Sequence, residues 1–450
     1  MLICKHAKIN WRLIGLLVCF VVWVGVLAAE AKEQESAKGK IKIGVAGPMK
    51  FSWGKNMWAG VQIAAEEINA SGGVSIKGVK HQIELINVDS NDYYSVVDAV
   101  NAIKKLITVD NVNFLIAGAR SEAILAQQEV MADNRVIFMM SAGGAPELHT
   151  RLAKNYDRYK YFFNNHFIVP YQSKNYMALV DLVATKIREK LRISKPKVAL
   201  VMEKAKWTDG LVEESQNVLP KMGLEIVGVW RPSPVASDLT SELTAIKAAG
   251  AQIIYEVFTG PAGVILNKQV GELQIPAIVV GCNTGASGMG MAYWDETRGL
   301  CEYEIYLAVE DISITEKSRP AYQKLSKKLG KEGFFVVGFT CYDAVYVLKE
   351  AIERAGTLES DAIVMELEKT SYIGTEGRVA FYPKDHKFPH AGVWGPGYKT
   401  DLFFQWQAGR MMLVWPAGVT PHPAIEAGSG WERLKHQGTV DLKLPPRMLK

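Results

Sequence analysis

The 450-residue sequence has only five cysteines, and two of them, Cys4 and Cys19, lie near its start. Cys282, Cys301 and Cys341 remain, with neither zinc-ligand spacing nor the density of a disulfide scaffold. Two states stay open for them: one Cys282–Cys301 bridge, or buried free thiols. No sign of charge dominates. Lys and Arg number 52 against 47 Asp and Glu, with no basic block, which argues against a nucleic-acid partner. Beyond Leu27 no apolar run approaches the roughly 20 residues that span a bilayer.

Catalytic and nucleotide motifs are missing as well. Dinucleotide binding needs Gly-x-Gly-x-x-Gly after the first strand, so that backbone N–H groups approach a pyrophosphate. Here that strand ends Gly44-Val45-Ala46-Gly47-Pro48, and Pro48 removes a donor. There is no P-loop. Gly285-Ala286-Ser287-Gly288 fails as a nucleophile elbow because Met289 holds the final position. The nearest approach to paired metal ligands, His386-x3-His390, lies in a proline-bearing loop. Neither cofactor nor metal is expected, and nothing here resembles the apparatus of an enzyme.

What is present begins with an export signal. Met1–Arg12 carries Lys5, Lys8 and Arg12 and no acid; Leu13–Leu27 is apolar, interrupted only by glycine. Ala29-Glu30-Ala31 supplies a small-x-small cleavage site and Val26-Leu27-Ala28 a second. Residues 1–31 therefore read as a secretory signal peptide, too short to serve as a membrane anchor. Val18 before Cys19 is not the small residue that lipoprotein processing needs. The expected location is the periplasm. Residues 32–40 are a polar leader.

A regular alternation follows. Ile41–Ala46 reads as a strand, and Met57, Val61, Ala64, Ala65 and Ile68 recur at helical spacing through 56–69. Strands at 81–89, 113–117 and 136–140 alternate with helices at 96–107 and 122–132. The stretch 156–170 is aromatic and irregular, with Asn164-Asn165-His166 at its centre. Beyond it the same pattern recurs: helices at 171–188, 210–222, 239–248 and 261–273, and strands at 197–202, 225–230, 252–258 and 277–281. Two similar βα arrays imply an α/β protein of two doubly wound parallel-sheet lobes. Such sheets bind ligands at the carboxyl ends of their strands. Two facing lobes then form a cleft.

Four stretches carry a family resemblance. The first is Ile41–Val45 with Gly60-Val61-Gln62-Ile63-Ala64-Ala65-Glu66-Glu67-Ile68-Asn69 and Gly72-Gly73-Val74. The second is Ser141-Ala142-Gly143-Gly144-Ala145-Pro146-Glu147-Leu148. The third is Tyr342-Asp343-Ala344-Val345-Tyr346 leading to Gly374-Thr375-Glu376-Gly377-Arg378-Val379. The last is Gln405–Arg410 ending in Val414-Trp415-Pro416. In order and spacing they resemble the periplasmic leucine/isoleucine/valine-type substrate-binding proteins of ABC transporters. That resemblance implies two lobes joined by three hinge crossings, near Asn165, Glu302 and Val379. Lobe 1 would be 40–165 plus 303–378, lobe 2 166–302 plus 379–416, and 417–450 a surface extension. It also implies a small-molecule ligand, closure by hinge motion, and ABC permease and ATPase subunits as partners.

The resemblance places candidate ligand contacts at Trp53, Arg120, Ser121, Ala142, Gly143, Gly144, Trp207, Thr259 and Asn283. Ser121 opens a helix, where free N–H groups favour an anion; a plain N-cap is its ordinary alternative. Arg120 stands where the family has a small polar residue, and would add a fork-shaped donor for a carboxylate if it faces the cleft. Gly144 replaces a threonine hydroxyl. Trp53 and Trp207 would wall the pocket from opposite lobes. Asn283 stands where amino-acid binders place the acid that pairs with the α-ammonium, and cannot supply that charge. Glu256 is mid-strand and reads as structural. The expected ligand is a small carboxylate: an organic acid, or a branched-chain-type amino acid. A sensor of the same fold and, further off, a cleft enzyme are the competing readings.

Overall fold

The computed structural model describes residues 39–418 except 141, 312, 331–335 and 396, together with 422–425 and 438–449. The expected signal peptide and most of the expected leader lie outside the described residues. Two sheets carry the architecture. The first has strands β1 (Ile41–Gly47), β2 (Ile83–Asp89), β3 (Phe114–Ala117), β4 (Ile137–Met140) and β5 (Phe162–Asn164) in the order β2-β1-β3-β4-β5. All of its pairings are parallel. The second has β6 (Lys197–Met202), β7 (Glu225–Trp230), β8 (Ile253–Phe258), β9 (Ile278–Asn283), β10 (Ile305–Leu307), β11 (Phe403–Gln407) and β12 (Arg410–Trp415). Its order is β12-β11-β10-β9-β8-β6-β7, antiparallel only where β11 and β12 join.

The central strands are continuous apolar runs because helices cover both faces of each sheet. Every residue of β3, β4 and β8 is buried. Helix Ser52–Ala70 covers the first sheet and packs against helix Val336–Ala355, which returns to this lobe late in the chain. The helices approach closely at Gly60, where a Cβ would stand 2.2 Å from the Gly338 carbonyl oxygen.

Several expectations are corrected. The stretch read as irregular contains β5, a short edge strand too brief to show periodicity. A hairpin at Val74–Ile76 and Val79–His81 precedes β2. The helix expected from Gly210 starts at Lys206, bringing Trp207 onto its first turn. Two hinge crossings fall later than the sequence reading places them. β10 belongs to the second sheet, so that crossing is at Ala308 rather than Glu302. The third follows Gly392, because Asn164 still bridges to Ala391, and Phe381 to Gly392, at the edge of the first lobe. The first crossing is at 165–168, between β5 and helix Val169–Leu191.

Cys282, Cys301 and Cys341 are all free and buried. Residues 438–449 are held on the second lobe: Val440 N–H donates to Leu413 O (2.8 Å), and Arg447 Nε to Ile275 O (2.6 Å). Among the described residues no helix is long and apolar enough to cross a membrane.

Candidate functional site

The loops that follow β1, β3 and β4 face those that follow β6, β8 and β9, as a switch point between facing sheets requires. Between them lies a cavity with about 330 Å³ of empty space, of which the centre of a water molecule can occupy about 10 Å³. Trp53, Gly143, Gly144, Trp207 and Thr259 converge on it. His166, Phe167 and Leu307, at the hinge crossings, form its floor. The lobes meet around it. Tyr93 Oη donates to the Thr259 carbonyl (2.9 Å), and Lys206 pairs with Glu147 at 2.8 Å.

Among the described residues the wall itself carries no carboxylate. Two carboxylates stand behind it instead, one in each lobe, and the sequence reading missed both. Glu203 follows β6 directly and is fully buried. It accepts from Thr259 N–H (2.8 Å), Thr259 Oγ1 (2.5 Å), Gly260 N–H (3.2 Å) and Trp207 Nε1 (3.2 Å). Burial pushes its carboxyl above the ordinary range, while those four donors pull the other way. Asp92, beyond β2, accepts from Ala119 N–H (3.1 Å) and Arg120 N–H (3.5 Å), and burial raises it to about 6. The only sequence signal for either is a charge just past a strand's carboxyl end.

Four predicted residues stand elsewhere. Ser121 Oγ accepts from Ala145 N–H (3.2 Å), tying the loop after β4 to the helix start. Ala142 is buried in the first lobe's core. Arg120 lies at the rim, its guanidinium taken by Glu122 (2.5 Å), the Tyr93 carbonyl (3.4 Å) and, across the cleft, the Lys204 carbonyl (3.4 Å). The two side chains are 16% and 32% exposed, and the cost of desolvating both charges offsets most of what their attraction gains. Arg120→Ala is therefore expected to change ligand affinity by about threefold or less through the opening equilibrium. A loss of a hundredfold in titration calorimetry would instead put the guanidinium on the ligand.

Asn283 is spent inside lobe 2: Nδ2 donates to Glu304 Oε1 (3.0 Å) and Oδ1 accepts from Ala286 N–H (3.1 Å). Glu304 is paired with Glu256, the mid-strand acid, through a retained proton, and Asn267 Nδ2 donates to both (2.9 and 3.0 Å). Tyr293 Oη also donates to Glu304. Burial raises Glu256 well above the carboxylate range and Glu304 to about 7. The folded protein thus holds these protons more tightly than the unfolded chain does. Their contribution to stability is complete below about pH 4.5 and falls away as pH rises through about 7. Glu256→Gln keeps the hydrogen bonds without the charge, so it is expected to gain about 1–2 kcal/mol over wild type at pH 8 and almost nothing at pH 4.5. Urea denaturation at the two pH values measures this.

Fold and site together define a protein of two α/β lobes with a cavity between the facing carboxyl ends of their strands, the form of a cleft binder. The chain belongs to the periplasmic binding protein family, whose model matches residues 40–394, and it has the type I fold of that family. It is 25% identical over 390 residues to a Leu/Ile/Val-binding protein of Rhizobium johnstonii, covering 84% of this chain and 95% of that one. Among solved structures it resembles a branched-chain amino acid transporter substrate-binding protein of Streptococcus pneumoniae in complex with isoleucine. That match has a TM-score of 0.66 and 20% identity, covering 83% of this chain and 97% of the other. It also resembles an R. palustris ABC-transporter solute-binding protein in complex with benzoate, with a TM-score of 0.68 and 13% identity, covering 83% and 95%.

Proposed function

We propose that this protein captures a small organic carboxylate with an aromatic body outside the cytoplasmic membrane and delivers it, without chemical change, to the permease and ATPase subunits of an ABC importer. The signal-like first 31 residues support the location, and the family supports the transport role. One observation carries the ligand class. The cavity is walled by Trp53 and Trp207 from opposite lobes and by Gly143 and Gly144 backbone, with no carboxylate on its surface. Aromatic faces suit a planar apolar body. An α-ammonium would be left without a counter-ion in a dry site, which is costly. Glu203 does not supply one, because both of its oxygens are taken by wall donors; Asp92 stands outside the cavity lining, with Oδ2 taken by Ala119 and Arg120 N–H and Oδ1 without a partner among the described residues.

The fold accommodates both ligand types, since its neighbours are solved with isoleucine and with benzoate; the wall supports the acid. Titration calorimetry with benzoate-type acids and with leucine, isoleucine and valine tests the reading. Micromolar binding of the acids with the amino acids silent is the expected result. Micromolar binding of leucine with the acids silent would overturn it.

A further inference from the structure

His166 sits on the first hinge crossing, where the two lobes part. The residue lines the ligand cavity and also a second cavity of about 320 Å³ beside it, with Phe167 and Leu307 as the other shared walls. The residue is 2% exposed, yet its Nε2 has no hydrogen-bond partner among the described residues. A buried ring nitrogen left unpaired costs about 1–3 kcal/mol, so it calls for a partner that arrives from elsewhere.

The surroundings offer none. Asn164 Oδ1 takes the His166 backbone N–H (2.6 Å), not its ring. Of the charged groups nearby, Lys399 is bound to Glu376 (3.2 Å) and to the Asn165 carbonyl (3.0 Å), and Asp401 accepts from Gln172 (3.0 Å) and Asn175 (2.5 Å). The Phe167 ring lies against the imidazole, with centroids 4.1 Å apart, and fixes its place. Behind it, Thr400 Oγ1 lines the second cavity and is likewise unpartnered among the described residues.

We propose that His166 reads a hydroxyl on the ring of the bound acid, pairing with it at the floor of the cavity, so that hydroxy-substituted aromatic acids are the preferred ligands. The proposal rests on the aromatic-acid reading of the site given above. Burial and the Lys399 charge hold the imidazole far below its ordinary pKa, so it stays neutral and keeps an acceptor nitrogen as well as a donor. A phenolic hydroxyl matches either. A site built to hydrogen-bond a hydroxyl rejects the analogue lacking it far more strongly than an apolar wall does, because the buried polar group is then left unpaired.

The test compares titration calorimetry of benzoate, 3-hydroxybenzoate, 4-hydroxybenzoate and leucine on the wild-type protein, His166→Phe and His166→Leu. The readout is the ratio of affinities, hydroxybenzoate over benzoate, within each protein. The better hydroxybenzoate is expected to bind wild type about tenfold or more tightly than benzoate, and the ratio to fall to about one in the variants. Should one variant fail to fold, the other reads the same ratio, and a wild-type ratio near one overturns the inference without any variant. So does a preference that survives in a folded variant. Those outcomes leave the aromatic-acid reading standing. Binding of leucine alone, or of none of the probes, sinks that reading and this inference with it.

Discussion

Replacing Glu203 by alanine is expected to cost the folded protein about 3–5 kcal/mol and to lower ligand affinity at least a hundredfold. The carboxylate is the only acceptor shown for Trp207 Nε1 and for the backbone N–H groups of Thr259 and Gly260. Alanine leaves these buried donors unpaired and opens a void behind the wall, and the two costs add. Affinity falls because Trp207 and Thr259 are the second lobe's contribution to the cavity, and Glu203 fixes both. Glu203→Gln keeps the volume but turns one acceptor into a donor facing donors, so an intermediate loss of about 2 kcal/mol is expected. Urea denaturation and titration calorimetry read the two effects. A loss below about 1 kcal/mol for alanine would show that the wall stands without this carboxylate.

That residue also marks where sequence reading stops. The two βα arrays were legible because buried parallel strands leave unbroken apolar runs such as Phe114–Ala117 and Ile253–Phe258. Trp53, Trp207 and the Gly143-Gly144 pair were legible through the family resemblance, and each lies just past the carboxyl end of a strand, where a cleft forms. Glu203 and Asp92 were not. Apart from Trp207, which follows Glu203 by four residues, their donors lie 27 to 57 residues away in sequence, at Ala119 for one and Gly260 for the other, brought together by the sheet order. Arg120 differs in the opposite sense. Its charge reads as a ligand donor only if it faces the cleft, with a salt-bridged arginine as the alternative, and in the structure Glu122 takes it. The later hinge crossings escaped because β10 is three residues long and the 391–392 bridges carry no periodic pattern.

The largest effect on binding is expected from putting back the hydroxyl that the family places at Gly144. The family resemblance alone predicts that Gly144→Thr adds a ligand contact. The structure predicts the reverse. A Cβ at this position would stand 2.8 Å from the Phe167 ring and 3.1 Å from Val169 Cγ2. The loop cannot retreat, because Val169 N–H donates to the Gly144 carbonyl (2.8 Å) and Ser121 Oγ holds Ala145. Phe167 thus fills the space a threonine side chain needs, and Gly144 with Phe167 is one packing solution where threonine with a smaller neighbour is another. Overpacking of this kind costs about 1–3 kcal/mol. Binding is expected to fall at least a hundredfold, since the displaced ring is the cavity floor. The two positions must then be coupled. Phe167→Ala loses ring packing against Trp207 and Trp394, yet Gly144→Thr made in that background is expected to cost about 1–2 kcal/mol less than it does alone. A double-mutant cycle by urea denaturation measures that coupling without any knowledge of the ligand. Additive costs would mean that the loop carries the extra methyl by moving, and that Gly144 was never matched to Phe167.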